Sequence, residues 1–194
     1  MELDAYLMKH IYRPIGLKHI GYQPLNRFGL HQIIPTENDQ QFRKQQIHGF
    51  VHDPGAAMLG GVGGHAGVFS NANDLAILMQ VLLNQGEYGD QCYFAPEVIE
   101  EYTRAQFPGN RRGVGFDRPN ASGGGTCHEL ASNKSFGHSG FTGTLIWSDP
   151  TYALNYVFLS NRVYQNAENW KLRDMNIRTE IQRVIYESMM TIKK

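Results

Sequence analysis

The chain has 194 residues, a size that suits one domain or a large piece of one. With 41% hydrophobic residues, 19% charged residues and a formal net charge of zero, its composition is that of a globular protein and excludes a disordered chain. The balanced charge offers no basic surface for nucleic acid or an anionic membrane, and no window reaches the roughly 18 apolar residues of a membrane span.

The first fifty residues predict a short helix followed by a long polar segment. Apolar side chains recur at helical spacing between Asp4 and Tyr12, and we expect Pro14 and Gly16 to end that helix. This acidic, amphipathic start does not have the character of a signal peptide. Residues 21–50 are rich in Gln and Asn and predict an irregular excursion over the surface with short strands.

The middle of the chain alternates glycine-rich segments with helices. Residues 55–67 are dense in glycine. Asn73 and Asp74 then predict the capped start of a helix over 75–84, which Gly86 ends.

Three further elements are predicted between residues 96 and 134. Pro96 at a first helical turn predicts a helix over 97–105. Residues 113–116 predict a strand, and the Gly-, Ser- and Asn-rich residues 119–134 predict a loop.

The last sixty residues predict an antiparallel hairpin followed by a helix. Two strands, 135–147 and 152–161, flank a turn signal at 148–151. The second strand is apolar on both faces, so we expect it to be central or to lie beneath helices. A helix over 172–190 carries one apolar stripe for packing on the sheet, made of Ile177, Ile181, Val184, Ile185 and Met189. The predicted fold class is therefore α/β (α+β), an antiparallel sheet flanked by helices.

The triplet His138-Ser139-Gly140 at the head of the β-rich region is the strongest candidate for chemistry. A glycine in a strand lets another backbone approach its edge, and a histidine two positions earlier points to the same side. Together they predict a strand that grips a substrate and presents an imidazole. The alternatives are a histidine satisfied within the fold and a β-bulge at the glycine.

Metal and thiol chemistry are weaker candidates. His48, His52 and Asp53 would suit a metal on a helix, but Gly49 and Pro54 favour a turn there. Cys92 and Cys127 lack metal-ligand spacing and are predicted to be unpaired thiols, with a single disulfide left open.

Three segments in order resemble the serine β-lactamase-related family, which includes class C β-lactamases, penicillin-binding proteins, D-aminopeptidases and family VIII-type esterases. They are GGVGGHAGVFSNANDLA at 60–76, FGHSGFTGT at 136–144 and LSN at 159–161. The opening LDAYLMKHIYRPIGL at 3–17 resembles the helix and turn that follow the Tyr-x-Asn motif of the family. The order of these short motifs, which spans most of the chain, carries the resemblance.

The resemblance implies a site around the third motif of the family, Lys-Thr-Gly or His-x-Gly. The histidine would contact the substrate or tune proton transfer, the next two residues would lie along the substrate, and the following backbone N–H would be an oxyanion donor. The tip of the glycine-rich segment would form the wall of the same cleft. The implied residues are His138, Ser139, Gly140 and Phe141, with His65 and Ala66 at the wall.

The nucleophile motif of the family does not occur in the chain. Neither Ser-x-x-Lys nor Gly-x-Ser-x-Gly is present, and the one Tyr-x-Asn, at 164–166, follows the hairpin and is read as a polar loop. We therefore expect residues 1–194 to be the C-terminal portion of one β-lactamase-like domain that lacks its catalytic N-terminal portion and is inactive alone. An unpaired sheet edge would then allow a homodimer.

The whole protein is expected to transfer an acyl group to water through a serine ester, on a β-lactam, cell-wall peptide or ester. The resemblance implies no cofactor and no metal, and a periplasmic or envelope location. One alternative is a non-catalytic domain that binds peptide or glycan. Another is a self-sufficient enzyme using Ser139 or Ser70 with a histidine, which the missing nucleophile elbow disfavours.

Overall fold

A computed structural model of the protein describes residues 1–120 and 125–192. The chain divides into two compact units. The first comprises Met1–Leu75 with Ser160–Trp170, and the second comprises Ala76–Leu159 with the C-terminal segment from Lys171. Both combine helices with small antiparallel sheets, in agreement with the predicted fold class. Within the described ranges, no helix has the length and apolar character to cross a membrane.

The N-terminal helix of the first unit is longer than predicted. Helix α1 (Leu3–Leu7), a π-helical turn (Met8–Tyr12) and α2 (Arg13–Ile15) follow one another without a break. The widened π turn ends two residues before Pro14, which has no N–H to give to the helical ladder. The helix ends at Gly16, whose φ of 88° lies in the left-handed region.

The polar segment of the first unit contains two short strands, as predicted. After single 3-10 turns at Pro24–Asn26 and Leu30–Gln32, strand β1 (Pro35–Asp39) pairs antiparallel with β2 (Gln45–His48). This segment is not only a surface excursion, because Glu37 and Asp39 are buried.

The guanidinium of Arg43 compensates those two buried carboxylates. It contacts the Glu37 carboxylate at 3.0 Å and the Asp39 carboxylate at 3.2 Å. Burial alone would raise the pKa of Asp39, but backbone N–H groups of residues 41–43 and the Arg43 side chain bond its carboxylate and hold the pKa far below its ordinary value.

Two helices follow in this region. A turn was predicted at 52–54, and helix α3 (Pro54–Met58) begins there. Helix α4 (Ala72–Leu83) begins three residues earlier than predicted, because the Asn71 side chain, and not Asn73 or Asp74, accepts the capping bond from the Asp74 N–H at 2.9 Å.

In the second unit, α4 is followed by a small hairpin that the sequence reasoning missed, β3 (Glu87–Tyr88) with β4 (Gln91–Cys92). Helix α5 (Pro96–Thr103) forms as predicted, with its proline in the first turn. The strand predicted at 113–116 is wrong: only an isolated bridge between Asp117 and Gly137 forms there. The loop predicted at 119–134 is irregular where it is described, and residues 121–124 lie outside the described ranges.

The main sheet has three strands instead of the predicted two. Strands β5 (Phe136–Ser139), β6 (Leu145–Asp149) and β7 (Leu154–Phe158) pair antiparallel in that order. The predicted first strand is split by a tight turn in which the Gly140 N–H donates to the Thr144 carbonyl at 2.9 Å and Gly143 adopts a φ of 109°. Strand β6 is therefore central, and among the described residues β7 pairs only with β6.

The terminal helix is interrupted at Asn176, which has a φ of 52°. Helices α6 (Lys171–Asp174) and α7 (Ile177–Ile192) flank this break. The predicted apolar stripe is wrong in part, because Ile181 and Val184 are exposed while Gln182 and Tyr186 are buried. Polar bonds orient α7: the Tyr186 hydroxyl donates to a buried carboxylate, and the Gln182 side chain accepts the His128 N–H.

That buried carboxylate belongs to Asp149, which no solvent reaches. It accepts bonds from the Ser132 N–H (2.8 Å) and hydroxyl (2.6 Å), the Thr151 N–H (3.0 Å) and the Tyr186 hydroxyl (2.9 Å). It lies beside the core cluster, whose buried members are Cys127, Ala131, Leu145, Trp147, Tyr156 and Tyr186. Hydrogen bonds to the Asp149 side chain thus connect the loop before β5 and helix α7 with the end of β6.

Aromatic side chains of β7 and of the turn before it belong to this core. Tyr156 is buried, and Tyr152 and Phe158 pack against the cluster. Both cysteines are free thiols, Cys92 exposed and Cys127 buried, as predicted. Burial, together with the nearby Asp117 charge, raises the pKa of the Cys127 thiol to about 12.

Candidate functional site

The predicted triplet lies at the end of β5 and runs into the β5–β6 turn. His138 faces Ile146 and Ser139 faces Leu145 in the antiparallel register with β6. The imidazole is exposed, and Ser139 and Gly140 are half-buried. Phe141, the first residue of the turn, has an exposed side chain. Pairing with the central strand therefore presents residues 138–141 at one end of the sheet.

Two glycines shape this end of the sheet for different reasons. A β-carbon at Gly137 would overlap the Ile146 carbonyl and the Trp147 backbone, so only glycine allows β5 to pair there. A β-carbon at Gly140 would overlap the Thr144 hydroxyl. Gly140 lies in a turn and not in a bulge, since the β5–β6 register runs without a shift.

Both ring nitrogens of His138 contact protein groups. Nδ1 lies 2.7 Å from the Ser139 carbonyl oxygen, which can only accept. Nε2 lies 3.1 Å from Nη1 of Arg112, which can only donate. One protonation state satisfies both contacts: a neutral imidazole with its proton on Nδ1 and a lone pair on Nε2.

A buried carboxylate anchors the arginine that contacts His138. Asp117 is 2% exposed, and its Oδ1 lies 2.6 Å from Arg112 Nη1. Arg111 forms a second ion pair with the same oxygen, and neither ion pair has the alignment of a hydrogen bond. The Asp117 backbone exchanges two hydrogen bonds with Gly137, at 2.7 and 3.0 Å. The carboxylate is thus fixed to the strand that carries His138, one residue away.

Sequence reasoning missed Arg112 and Asp117. The available signal was the adjacent pair Arg111-Arg112 in a glycine-rich segment that leads to an isolated acidic residue. That signal does not reveal the partner, because the contact to His138 spans 26 residues and depends on the Asp117–Gly137 bridge.

The glycine-rich segment, in the first unit, holds a second histidine. Asp53 caps α3: its Oδ1 accepts the Ala56 N–H at 2.7 Å and lies 3.0 Å from Nε2 of His65. The Ala56 N–H and then the His65 side chain lower the pKa of Asp53. Because this carboxylate accepts, the Nε2 of His65 donates.

Close packing holds the His65 ring in place while more than half of the side chain stays exposed. A β-carbon at Gly63 would stand 3.1 Å from the ring. The Gly63 N–H donates to the carbonyl of half-buried Ala66 at 3.2 Å, and its carbonyl accepts the Tyr22 hydroxyl at 3.0 Å. The predicted wall residues therefore lie in a tightly bonded loop of the first unit, whereas residues 138–141 lie at the end of β5 and the start of the β5–β6 turn in the second.

The residues weighed as a metal site have separate partners. The Nε2 of His48 lies 2.6 Å from the Ile33 carbonyl, His52 pairs with Glu37 at 3.3 Å, and Asp53 bonds Ala56 and His65. Among residues 1–120 and 125–192, no three His, Cys, Asp or Glu side chains converge on a point that would suit a metal ion.

The sequence comparisons give one family and a set of longer relatives. A family profile described as Beta-lactamase matches residues 1–177. Proteins described as "Putative D-alanyl-D-alanine carboxypeptidase" from Salmonella newport and Salmonella agona are each 40% identical over 185 residues, which cover 89% of this chain and 43% of the relative. The chain thus spans less than half the length of these curated relatives.

Solved structures of similar fold come from bacteria and a fungus. A beta-lactamase from Mycobacterium bovis matches with a TM-score of 0.63 and 21% identity, covering 97% of this chain and 57% of that one. A penicillin-binding protein homologue from Caulobacter crescentus gives 0.55 and 21%, covering 86% and 47%. Simvastatin synthase from Aspergillus terreus gives 0.64 and 15%, covering 98% and 51%. At these identities the likeness concerns the fold alone.

Proposed function

Because the chain belongs to the beta-lactamase family, we propose that it supplies the substrate-binding strand of a serine hydrolase site. The observation that carries the proposal is the exposed end of β5, where His138 precedes a tight turn between two paired antiparallel strands. A site built on a strand holds its groups more precisely than one built on a flexible loop.

Each predicted residue has a proposed role. His138 contacts the substrate or tunes proton transfer, and Ser139 and Gly140 lie along the substrate backbone as an added strand would. The backbone N–H of Phe141 donates to the oxyanion that forms in the transition state, a contribution of about 3 kcal/mol for a donor of this kind. A substrate-binding role is proposed also for His65 and Ala66 of the glycine-rich loop in the first unit.

The proposed reaction is acyl transfer to water. A serine hydroxyl attacks the substrate carbonyl, gives up its proton and forms an ester while the amine or alcohol leaves with a proton; water then hydrolyses the ester. The description of the Salmonella relatives favours a peptide ending in D-alanyl-D-alanine as the substrate, with a β-lactam or small ester as alternatives. An envelope or periplasmic location accords with such a substrate.

The nucleophile of this reaction is proposed to come from outside the 194 residues. No Ser-x-x-Lys occurs in the sequence, and the curated relatives are more than twice as long as the matched segment. On this proposal the chain is the C-terminal portion of one catalytic domain. Its other portion would be its principal partner, and the outer edge of β7 is the proposed pairing site, open to a second copy when that portion is absent.

A second candidate function is a binding domain without catalysis, which the missing Ser-x-x-Lys favours. It would keep the same exposed turn for peptide or glycan recognition. The two candidates differ in one outcome, because only the first supports formation of an acyl-enzyme once a family nucleophile is supplied.

The test uses two samples and one probe, fluorescent penicillin. The first sample is the 194-residue chain. The second, called here the grafted relative, is the Salmonella newport protein with its matched segment replaced by this chain. We expect no labelling of the isolated chain and covalent labelling of the grafted relative.

Two results would contradict the proposal. One is labelling of the isolated chain that disappears in Ser139→Ala or Ser70→Ala, which would make it a self-sufficient enzyme. The other is a grafted relative that has the circular dichroism and melting transition of the parent yet takes up no penicillin. That second result would favour the binding domain.

A further inference from the structure

The setting of His138 differs from that of a histidine with a nitrogen free for chemistry. Its Nδ1 bonds the Ser139 carbonyl and its Nε2 bonds the Arg112 guanidinium. We propose that Arg112 is a positioning residue that keeps the ring proton of His138 on Nδ1 and the lone pair on Nε2. The catalytic meaning of this arrangement rests on the function proposed above, whereas the protonation pattern itself does not.

The geometry of Arg112 suits this task. Its Nη1 carries two N–H bonds, and it lies 2.6 Å from Asp117 Oδ1 and 3.1 Å from His138 Nε2. The contact with the carboxylate is an ion pair without the alignment of a hydrogen bond, so an N–H of Nη1 remains available to the imidazole. Asp117 is buried and bonded through its backbone to Gly137, so the guanidinium is held from a fixed point beside the imidazole.

The donors and acceptors around this network leave no acceptor for a proton on Nε2 of His138. One carboxylate, Asp117, faces two guanidinium groups, Arg111 and Arg112. The three groups carry a net positive charge next to Nε2. A proton on Nε2 would aim a donor at a guanidinium, which cannot accept.

The consequence concerns the order of events at the site. While Arg112 occupies the Nε2 lone pair, His138 can neither accept a proton there nor bond a substrate through that nitrogen. A substrate group that uses Nε2 must first displace the guanidinium. Arg112 thus sets when His138 becomes available, without being required to touch the reacting atoms.

The experiment reads the protonation of His138 nitrogens directly in the isolated chain. Long-range proton–nitrogen NMR of the uniformly ¹⁵N-labelled protein distinguishes protonated from unprotonated ring nitrogens, and His138→Gln assigns the signals. At neutral pH we expect Nδ1 protonated and Nε2 unprotonated in the wild type. Arg112→Lys, which can only donate, keeps this pattern.

Arg112→Glu should change the protonation of Nε2 in His138. A carboxylate can only accept, so His138 Nε2 becomes protonated, while the signals of His65 stay unchanged as an internal control. Backbone amide signals of β5–β7 report whether the variant folds. A protonated Nε2 in the wild type overturns the proposal whether or not that variant folds, and so does a folded Arg112→Glu variant with wild-type His138 signals.

This readout separates the two proposals. The NMR pattern is measured without substrate or nucleophile, so it stands or falls independently of penicillin labelling. A grafted relative that fails to label leaves the Arg112 proposal intact, and a wrong protonation pattern leaves the proposed function intact.

Discussion

The two histidines beside glycines, His65 and His138, are similar in sequence and opposite in setting. Both rings are exposed and both follow a glycine in the chain. The Nε2 of His65 lies 3.0 Å from the Asp53 carboxylate and must donate. The Nε2 of His138 lies 3.1 Å from the Arg112 guanidinium and must accept. A short motif therefore identifies a histidine without showing whether its Nε2 donates or accepts a hydrogen bond.

The residues that hold the two histidine rings in place also differ. The partner of His65 is itself a helix cap, so that bond is part of the folding of a local loop. The partner of His138 is Arg112, a long side chain that is held by an ion pair with the buried carboxylate of Asp117. The first arrangement stabilises a loop, whereas the second controls the availability of a nitrogen.

When the two units are compared, the largest expected effect on stability comes from removing the buried carboxylate of Asp149 in the second unit. Asp149→Ala leaves four donors without their acceptor, three of them from Ser132 and Tyr186. We expect a loss of about 3–5 kcal/mol in the free energy of unfolding, measured by urea denaturation with the fluorescence of buried Trp147. The exposed Asp174→Ala is the matched control, with a change below about 0.5 kcal/mol. Equal midpoints for the two variants would contradict the role of Asp149.

An acid titration of the first unit should give the next largest effect. The pKa of Asp39 is lower in the folded state, so its stabilisation is present above the unfolded pKa of about 4 and is lost as pH falls below that value. Asp39→Asn should cost about 2 kcal/mol at pH 7 and flatten the loss of stability between about pH 4 and 2. Urea midpoints over that range test this prediction, and an unchanged slope would count against it.

A smaller effect is expected at the support of His65. Asp53→Ala removes the cap of α3 and should cost about 1 kcal/mol, with loss of the fixed Nε2–H state of His65. Asp53→Asn keeps a side-chain oxygen for the cap, so its melting temperature should stay near that of the wild type. If both variants melt alike, the cap contributes less than the geometry indicates.

Much of the fold follows from local sequence signals. The proline start of α5, the glycine end of the N-terminal helix and the short strands of the polar segment were predictable, because each depends on neighbouring residues. The split of the predicted strand at Gly140–Thr144 was missed although this segment contains two glycines, because Gly140 was interpreted as a strand residue that lets another backbone approach and not as part of a turn. The face of α7 was mispredicted because Asp149, distant in sequence, recruits Tyr186 and overrides the apolar stripe.

The candidate site was predictable to a similar, partial extent. The triplet at 138–140 was found from its pattern and its resemblance to a family motif. Arg112 and Asp117 were not found, because their roles depend on a single bridge between Asp117 and Gly137 and not on any sequence spacing. Local chemistry was therefore readable from the sequence, whereas the partners that set it required the three-dimensional structure.

The most direct test of the account compares the two histidines in the grafted relative, through the rate of acylation by fluorescent penicillin. His138→Ala should slow acylation by about 100-fold, as expected for a group that acts at the reacting bond. His65→Ala should slow it by no more than about threefold, because an exposed pair contributes under about 1 kcal/mol. An unchanged rate in His138→Ala, or a larger loss in His65→Ala, would contradict the assignment of the substrate strand to the end of β5.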